Sequence, residues 1–560
     1  MYRITYKEQY SENVFRLDVE APLIARSRKA GNFVIVRVDE GGERIPLTIS
    51  DSNREQGTIM LVVQRVGVST RKLCALNVGD EVADVVGPLG QATKIENFGT
   101  VVCAGGGVGV APMLPIIKAL KDKGNRVISV LAGRSKELII LEDMVRQSSD
   151  EVIIMTDDGS YGQKGLVTQG IEQVILREKV DKCFAIGPAV MMKFCCLLTK
   201  KYNIPTEVSL NTIMVDGTGM CGACRVTVGG RTRFVCVDGP EFDGHEVDFD
   251  EMMMRMKAYR SEEQSPITPE PPLTPPQGEN PGARVLPLEG GDREGLRAGE
   301  TLTAKERMAI PRVVMPELEP KYRATKLREE VNKGLTLEMA QREAQRCLAC
   351  KNPGCVKGCP VGIDIPSFVK HIEHGEVAEA AAVLKRYSAL PAVCGRVCPQ
   401  EKQCEAQCIH HKMKSQPVAI GYLERFAADW SHEANPISVE RTPASDVSGA
   451  RTPIAVIGSG PAGLSFAGEM AARGYEVTVF EALHEIGGVL KYGIPEYRLP
   501  NSIVDREIES LREKGVKFVT DCVIGKTITV DELREQGFKG VFVASGAGLP
   551  NFMNIPGENL

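Results

Sequence analysis

Eleven of the 17 cysteines in this chain fall into two groups whose spacing is typical of iron–sulfur ligands. The first group has three cysteines and the second has eight: Cys221, Cys224 and Cys236, then Cys347, Cys350, Cys355, Cys359, Cys394, Cys398, Cys404 and Cys408. Thiolates at such spacing hold clusters that carry single electrons. Each group lies beside a glycine-rich nucleotide-binding pattern, so the sequence predicts an electron-transfer protein.

The first group favours a [2Fe–2S] cluster. Two residues separate Cys221 from Cys224, and eleven separate Cys224 from Cys236. A fourth thiolate is missing, and three thiolates with one carboxylate could also hold zinc. The stretch resembles the electron-transfer subunits of the pyrimidine pathway, in which a cysteine stands at the position of Asp216. From that resemblance we predict that Asp216 is the fourth ligand, through a carboxylate oxygen.

The second group predicts two [4Fe–4S] clusters, because its first four cysteines follow a ferredoxin-type run that ends in Cys-Pro. It resembles the N-terminal region of glutamate synthase small subunits and dihydropyrimidine dehydrogenase. The resemblance implies that one cluster is held by Cys359, Cys398, Cys404 and Cys408. It implies that the other is held by Cys347, Cys350, Cys355 and Glu424.

Three side chains near this group are assigned no ligand role. Cys394 is then a packed thiol, and His410 with His411 is expected to be an exposed pair near a helix end. Disulfides are the alternative for the whole group, and a reducing cytoplasm disfavours them. The remaining cysteines lack ligand spacing, and most of them are expected to be buried: Cys74, Cys103, Cys183, Cys195, Cys196 and Cys522.

A dinucleotide fingerprint follows the second group. Gly458, Gly460 and Gly463 lie between a predicted strand and helix, and Glu481 ends the next strand. The glycines permit close approach to a pyrophosphate, and the carboxylate can accept a hydrogen bond from a ribose hydroxyl. The stretch that follows resembles the flavin-contacting segment of glutamate synthase small subunits, which favours FAD over NAD and assigns it Gly488, Leu490 and Arg498.

A second glycine loop precedes the first cysteine group. Gly105, Gly106, Gly107 and Gly109 follow a predicted strand and precede a helix, an arrangement that suits a pyrophosphate. Other residues expected at this edge of the sheet are Gly187, Pro188 and Asp158. Asp158 could instead only cap a turn. Arg134 and Ser135 could contact a 2′-phosphate, so NAD and NADP both remain open.

The N-terminal strands carry a possible flavin site. The residues are Arg44, Pro46, Leu47 and Thr48 on one strand, and Gly67, Ser69 and Thr70 after the next. Arginine can bind a phosphate, although a charged strand followed by a turn would give the same pattern. Residues 1 to about 205 resemble the ferredoxin–NADP reductase family. That resemblance implies FAD on the barrel and a nicotinamide nucleotide at Gly105–Gly109.

Alternation of apolar and polar residues, followed by strand–helix repeats, predicts a multidomain α/β protein. We expect an antiparallel flavin-binding β-barrel or sandwich, a parallel α/β nucleotide domain, a small [2Fe–2S] domain, a proline-rich linker, a helical domain with two [4Fe–4S] clusters and a partial Rossmann-type FAD domain. Their ranges are 1–97, 98–208, 209–255, 256–305, 306–440 and 450–560. The last range holds one mononucleotide half and reads as truncated, so a separate polypeptide could supply an NADPH domain.

Composition excludes several other classes of protein. The chain has 560 residues, 43% of them hydrophobic and 25% charged, and a formal net charge of −5. These values describe a globular protein of several domains without a basic surface for nucleic acid. The N-terminus lacks the organisation of a signal peptide, and no segment is apolar enough to predict a membrane span. We therefore expect a cytoplasmic location.

The two halves together resemble the NADH-dependent reduced ferredoxin:NADP⁺ oxidoreductase family, also described as sulfide dehydrogenase. The first half is similar to its small subunit and the second to the N-terminal part of its large subunit. The resemblance implies electron bifurcation, in which NADPH delivers one electron to NAD⁺ and another to ferredoxin. The alternatives are an electron-input subunit of a glutamate synthase-like enzyme and a non-catalytic subunit that connects redox centres in a larger complex.

Overall fold

The computed structural model describes residues 2–258, 302–434 and 451–551, together with Met553 and Ile555. The predicted linker at 256–305 therefore lies mostly outside the described residues, and a helix at Ala304–Ala309 begins at its end. Within the described ranges, the model contains no helix with the length and hydropathy needed to cross a bilayer.

The N-terminal unit is a nearly closed antiparallel β-barrel. Its strands are β1 Tyr2–Ser11, β2 Val14–Glu20, β3 Phe33–Arg37, β4 Arg44–Asn53, β5 Thr58–Gln64, β6 Glu81–Val82 and β7 Asp84–Leu89, in the order β6-β1-β2-β5-β4-β3-β7. Alternate apolar side chains such as Leu17, Val34 and Leu61 fill its interior. Two helices lie beside the strands, α1 Pro22–Ser27 and α2 Val68–Ala75.

The next unit is a parallel sheet flanked by helices. Its strands are β8 Thr100–Gly106, β9 Arg126–Gly133, β10 Glu151–Thr156, β11 Gln163–Lys164, β12 Lys182–Ile186 and β13 Thr206–Ser209. Its helices are α3 Val110–Asp122, α4 Glu142–Ser148, α5 Val167–Arg177 and α6 Ala189–Lys201. The order β11-β10-β9-β8-β12-β13 continues into an antiparallel strand, β16 Glu241–Asp243. Because β16 belongs to the cysteine-bearing unit, one sheet joins the two.

The cysteine-bearing unit is built on a hairpin, β14 Arg225–Val228 with β15 Arg231–Phe234. Gly229 and Gly230 connect the strands with φ values of +57° and +70°. Two positive φ angles define the tight hairpin turn that matches strand twist, and glycine adopts them without strain. The helices α7 Val235–Asp238 and α8 Phe249–Arg255 complete the unit.

Residues 302–434 form a helical unit whose longest helices pack around a common core. The helices are α9 Ala304–Ala309, α10 Pro320–Arg323, α11 Leu337–Ala344, α12 Gly354–Gly358, α13 Ile365–Glu373, α14 Val377–Tyr387, α15 Pro391–Val397, α16 Ile409–Lys412 and α17 Ile420–Ala434. Apolar residues recur along α13 at Ile365, Phe368, Val369 and Ile372, which places them on one buried face.

The C-terminal unit is a four-stranded parallel sheet in the order β19-β18-β17-β20. The strands are β17 Pro453–Ile457, β18 Glu476–Phe480, β19 Lys517–Val519 and β20 Gly540–Val543. Its helices are α18 Pro461–Ala472, α19 Val489–Tyr492, α20 Asn501–Glu513 and α21 Val530–Glu535. The expected strand–loop–helix–strand around the glycine fingerprint is present as β17, α18 and β18.

Candidate cofactor and metal sites

The hairpin of the small cysteine unit brings two thiols together. Cys224 directly precedes β14 and Cys236 follows β15, and their Sγ atoms lie 3.2 Å apart. Both thiols are buried, whereas Cys221 is exposed at the edge of the same loop. The three cysteines predicted to bind one cluster therefore share one loop region.

Asp216 lies inside this loop. Its carboxylate accepts hydrogen bonds from the backbone N–H of Cys221 at 3.0 Å and of Thr218 at 2.7 Å, and from the Thr218 hydroxyl. Burial alone would raise the pKa of Asp216, but these hydrogen bonds hold it below its ordinary value. The carboxylate is therefore anionic, as a metal ligand must be. Its role as fourth ligand stays a prediction.

The structure divides the larger cysteine group differently from the expected division. Cys347, Cys350, Cys355 and Cys408 line one cavity. Cys359, Cys398, Cys404 and Glu424 lie near one another and interact electrostatically. By proximity, Cys408 lies with the first set and Glu424 with the second, the reverse of the expected division, and which cluster each one binds stays a prediction. Among the described residues, no three His, Cys, Asp or Glu side chains converge on a single metal ion, so these groups are defined by proximity.

Two close backbone approaches explain these proximities. A side chain at Gly354 would overlap Gln407, so α12 lies directly against the turn before Cys408 and brings Cys355 to it. A Cβ atom at Gly395 would meet the backbone nitrogen of Arg425 at 2.5 Å, so α15 lies against α17. Cys398 at the end of α15 is thereby placed beside Glu424. Spacing along the chain does not reveal either approach.

Glu424 has the properties of a side chain that lacks its partner. It is 6% exposed, and its Oε1 atom has no hydrogen-bond partner among the described residues. Burial raises the pKa of Glu424 well above its ordinary value, and Cys394 and Glu507 add to the effect. A buried carboxylate oxygen without a partner is costly. An iron ion at this position would supply the missing partner, so the site fits a cluster.

The sequence analysis described Cys394 only as a packed thiol and did not predict that it lies near the ligand Cys398. It lies on α15, one helical turn before Cys398 at the end of that helix. Its Sγ atom also lies 3.8 Å from Ser388 Oγ. The four-residue spacing on a helix was the available signal.

The histidines beside Cys408 differ from the expected exposed pair. His411 is exposed, but His410 is completely buried and lines the cavity of Cys347, Cys350, Cys355 and Cys408. His410 Nε2 donates to the carbonyl oxygen of Arg346 at 2.9 Å. Burial lowers its pKa, so this histidine is neutral.

The first glycine loop connects β8 to α3 at the carboxyl edge of the sheet. A side chain at Gly109 would overlap the backbone of Ile186 and Gly187, so packing requires glycine there, whereas at Gly105 and Gly106 it would meet the flexible ends of Met113 and Met191. Gly107 has φ +56° and faces open space. Gly187 and Pro188 end β12 beside the same loop, which brings together the residues predicted to bind the nucleotide.

Asp158 caps a turn at the same edge. Its Oδ1 atom accepts a hydrogen bond from the backbone N–H of Ser160 at 2.9 Å, and its own N–H donates to the carbonyl oxygen of Arg134. Hydrogen bonds from Ser160 lower its pKa. Asp158 therefore caps a turn, as in the alternative interpretation of the sequence. Binding of a nucleotide by the exposed Asp158 stays a prediction.

The candidate flavin residues of the barrel lie on β4 and at the start of α2. Pro46, Leu47 and Thr48 are partly exposed on β4. At α2, Gly67 N–H donates to Thr70 Oγ1 at 2.9 Å, and Ser69 Oγ donates to Glu43 at 2.6 Å. The two hydroxyls predicted for a pyrophosphate thus stabilise the turn.

Arg44, at the start of β4, contacts two other units. Its guanidinium donates to the carbonyl oxygens of Val215 at 3.2 Å and Asp216 at 3.3 Å. Its Nη1 atom lies 2.9 Å from Nδ1 of His484 in the C-terminal unit. Arg44 therefore joins the barrel to the [2Fe–2S] loop and to the C-terminal sheet.

The C-terminal glycine loop is held by Glu481. Its carboxylate accepts hydrogen bonds from the backbone N–H of Ser459 at 2.8 Å and of Leu483 at 3.0 Å, and from the Ser459 hydroxyl. Gly458 has φ +97° and a side chain there would overlap Ala544. A Cβ atom at Gly488, with φ +53°, would meet Gly460 at 2.8 Å. Of the other predicted residues here, Gly463 and Leu490 are buried and Arg498 is exposed.

The C-terminal unit rests on the first half of the chain. Thr527 Oγ1 donates to the carbonyl oxygen of Gly87 at 2.6 Å, and Lys526 Nζ donates to that of Gly90 at 2.7 Å. Arg26 and Glu532 form an ion pair at 3.1 Å. Leu549 and Pro550 lie against Gly219 and Gly222 of the [2Fe–2S] loop. We call these contacts, together with those of Arg44, the seam.

Three family models match parts of the chain. They are the iron–sulfur cluster binding domain of dihydroorotate dehydrogenase B at 211–248, dihydropyrimidine dehydrogenase domain II with its 4Fe-4S cluster at 323–436, and pyridine nucleotide-disulphide oxidoreductase at 452–560. Each match covers one of the candidate sites.

Curated relatives each match less than half of this chain. A homologue of the dihydroorotate dehydrogenase B (NAD⁺) electron transfer subunit from Thermotoga maritima is 48% identical over 260 residues, 46% of this chain and 92% of the relative. The glutamate synthase [NADPH] small chain of Azospirillum brasilense is 33% identical over 246 residues, 44% of this chain. The chain spans only 50% of that second relative.

One solved structure concerns flavin-based electron bifurcation by NADH-dependent reduced ferredoxin–NADP oxidoreductase. It is 47% identical to this chain, covers 47% of this chain and 95% of its own, and has a TM-score of 0.46.

Proposed function

The first half of this chain belongs to the family of dihydroorotate dehydrogenase B electron transfer subunit homologues, and we propose that the whole chain moves electrons between NAD(P)H and ferredoxin. The chain is an iron–sulfur flavoprotein oxidoreductase related to NADH-dependent reduced ferredoxin–NADP oxidoreductase and to the glutamate synthase small chain. The finer proposal is an electron-bifurcating enzyme of the NADPH:NAD⁺/ferredoxin type.

The seam is the observation that carries this proposal. It brings the C-terminal glycine loop unit, the [2Fe–2S] loop and the flavin strand of the barrel together at Arg44. Electron transfer needs redox groups near one another, and a contact among three separate cofactor units satisfies that need. A scaffold that only bound partners would not require two nucleotide loops on either side of a cysteine loop.

The proposed cofactors follow from the residues at each site. We assign FAD to β4 and α2 of the barrel, a second FAD to Gly458–Gly463 with Glu481, and NAD(P) to Gly105–Gly109. One [2Fe–2S] cluster takes Asp216 with its three cysteines. One [4Fe–4S] cluster takes Cys347, Cys350, Cys355 and Cys408. The other takes Cys359, Cys398, Cys404 and Glu424.

Flavins, when bound, exchange two electrons with a nicotinamide and one electron with a cluster. The protein's part is to bind and orient these groups and to exclude water from them. Packing at Gly109 and Gly463 fixes the two loops, and the buried Glu481 holds the second one in place. The carboxylates of Asp216 and Glu424 replace thiolates at two clusters, and ligand type is one determinant of potential.

The proposed partners are ferredoxin and both nicotinamide nucleotides. A polypeptide that supplies an NADPH-binding part is also included among the proposed partners. We propose a cytoplasmic location, which suits clusters that need reduced thiols.

Metal and flavin analysis of anaerobically purified protein tests this proposal. We expect about ten irons per chain, from one two-iron and two four-iron clusters, and one or two flavins. Reduction of an artificial acceptor by NADH and by NADPH then tests the two nucleotide sites separately. Activity with NADH alone would restrict function to the first half. A colourless protein, or zinc in place of iron, would overturn the proposal.

A further inference from the structure

Two helices that carry predicted ligands of one cluster are joined by a closed set of four charges. Arg396 lies on α15 and Arg425 lies on α17, and both guanidiniums bind the same two carboxylates, those of Glu330 and Asp429. The shortest N···O distance of each pair is between 2.7 and 3.3 Å. We call these four side chains the charge ring.

Arg396 holds the charge ring in one geometry. Its Nε and Nη2 atoms donate to Glu330 at 2.8 and 3.3 Å, and its Nη1 and Nη2 atoms donate to Asp429 at 2.7 and 2.8 Å. A planar guanidinium that makes two bidentate contacts leaves its carboxylates little freedom to move. Arg425 adds one contact to each of the same carboxylates, so the two helices share their counterions.

Burial makes stability an insufficient explanation of the charge ring. The side chains of Arg396 and Arg425 are only 3% and 6% exposed. Taking charges out of water costs about as much free energy as their attraction returns, so a buried ion pair is weak evidence for stability. Fixed geometry is what an apolar contact of the same size would not supply. The ring is therefore a candidate for holding α15 and α17 in one relative position.

The charge ring lies next to two predicted ligands. Arg396 precedes Cys398 by two residues, and Arg425 directly follows Glu424. A Cβ atom at Gly395 would meet the backbone nitrogen of Arg425 at 2.5 Å, so the two helix backbones touch beside the ring. A shift of one helix along the other would therefore move Cys398 relative to Glu424.

The charge ring also connects these helices to the C-terminal unit. Arg425 Nη2 donates to the carbonyl oxygen of Asn332 at 2.9 Å, two residues after Glu330. The neighbouring Val331 N–H donates to the carbonyl oxygen of Tyr497 at 2.9 Å. Tyr497 directly precedes a residue predicted to contact a flavin, so the segment around Glu330 lies between the second [4Fe–4S] site and the second flavin site.

We propose that Arg396 and Arg425 are positioning residues that hold Cys398 and Glu424 where both can bind one [4Fe–4S] cluster. This inference rests on the proposed function, because it requires a cluster at that site. Residues that orient metal ligands from outside the coordination sphere affect how firmly the metal is held. Because the charge ring acts through geometry, a change that keeps its charge but removes the fork of a guanidinium should loosen the cluster.

Release of iron to a chelator from the anaerobic full-length protein tests this inference, with electron paramagnetic resonance to identify each cluster. Arg425→Lys keeps the positive charge but loses the planar fork that reaches two carboxylates at once. We expect the cluster beside Glu424 to release its iron about tenfold faster in this variant, and its resonance to change shape. The other [4Fe–4S] cluster should release iron at the wild-type rate.

Two further variants complete the experiment. Glu330→Gln removes one carboxylate of the charge ring without changing its size and should accelerate the same release, which decides the question if Arg425→Lys does not fold. Arg307→Lys is the matched control, because Arg307 makes a bidentate contact with Glu373 at 2.7 and 3.1 Å in the same helical unit but outside the ring. It should leave release from the cluster beside Glu424 unchanged.

Two results would overturn the inference. One is a wild-type rate of release from the cluster beside Glu424 in both Arg425→Lys and Glu330→Gln. The other is an equal acceleration at both [4Fe–4S] clusters, which would make the charge ring a contributor to general stability. Absence of [4Fe–4S] signals from the wild-type protein would instead reject the proposed function, on which the inference depends.

Discussion

Arg44 Nη1 lies 2.9 Å from His484 Nδ1, although 440 positions of sequence separate the two residues. The same guanidinium donates to the carbonyl oxygens of Val215 and Asp216. Burial lowers the pKa of His484, and the positive charges of Arg37 and Arg44 lower it further. His484 is therefore neutral and can accept the hydrogen bond from Arg44 at Nδ1.

We expect Arg44→Ala to weaken the seam. The substitution removes hydrogen bonds from a charged donor, so the free energy of unfolding should fall by about 1–3 kcal/mol. Thermal unfolding of the anaerobic protein measures the change. Arg54→Ala, at an exposed position on the barrel, is the matched control and should have little effect. Equal melting temperatures for the two variants would contradict a stabilising role for Arg44.

Asp521 in the C-terminal unit and Asp84 on β7 are both buried, at 7% and 8% exposure, and they are electrostatically coupled. Burial and the nearby Asp84 raise the pKa of Asp521 to about 7. A raised pKa means that the unfolded chain loses this proton at a lower pH than the folded protein. The stabilisation is therefore complete below about pH 4 and declines as the pH rises to about 7.

We expect Asp521→Asn to remove this part of the pH dependence. The variant should be more stable than the wild type above pH 7, by about 1–3 kcal/mol, and the difference should shrink as the pH falls to 5. Melting temperatures from pH 5 to pH 8 provide the measurement. Asp531→Asn is the control, because Asp531 is on the exposed side of α21. Parallel wild-type and Asp521→Asn curves would mean that Asp521 titrates normally.

A substitution at Glu424 tests its role as a ligand. We expect Glu424→Cys to shift the reduction potential of one [4Fe–4S] cluster, because thiolate is a softer ligand than carboxylate. The affected cluster should be the one held by Cys359, Cys398 and Cys404. A redox titration measures both clusters at once. If neither potential moves, Glu424 leaves the ligand set.

A substitution at Cys408 tests how the ligands are divided. We expect Cys408→Ser to disturb the cluster of Cys347, Cys350 and Cys355, with a loss of up to about four irons. The signal of the cluster beside Glu424 should persist. Iron content and electron paramagnetic resonance together distinguish the two clusters. Loss of the Glu424 cluster instead would restore the division expected from the sequence.

Local patterns predict much of this structure from the sequence. The glycine loops lie between strands and helices as expected, because close helix–strand packing at Gly109 and Gly463 leaves no room for a side chain. The cysteines without ligand spacing are all buried, as expected: Cys74, Cys103, Cys183, Cys195, Cys196 and Cys522. Each of these expectations depends on a few neighbouring residues.

Contacts between distant segments could not be predicted in this way. The proximity of Cys408 to Cys355 and of Glu424 to Cys398 depends on two backbone approaches, at Gly354 and at Gly395, whose partners lie about thirty to fifty residues away. The buried His410 donates a hydrogen bond from Nε2 to the carbonyl oxygen of Arg346, 64 positions away in the sequence. The expectation of an exposed histidine pair rested only on the position of both residues near a helix end.

The seam joins parts of the protein that are far apart in sequence but belong to one polypeptide. Because both sides are covalently linked, their encounter is unimolecular and its extent does not depend on dilution. Each molecule also contains one copy of each unit that the seam joins, so translation itself fixes the ratio of these units. Two separately encoded subunits would need matched synthesis and a sufficient concentration to achieve the same arrangement.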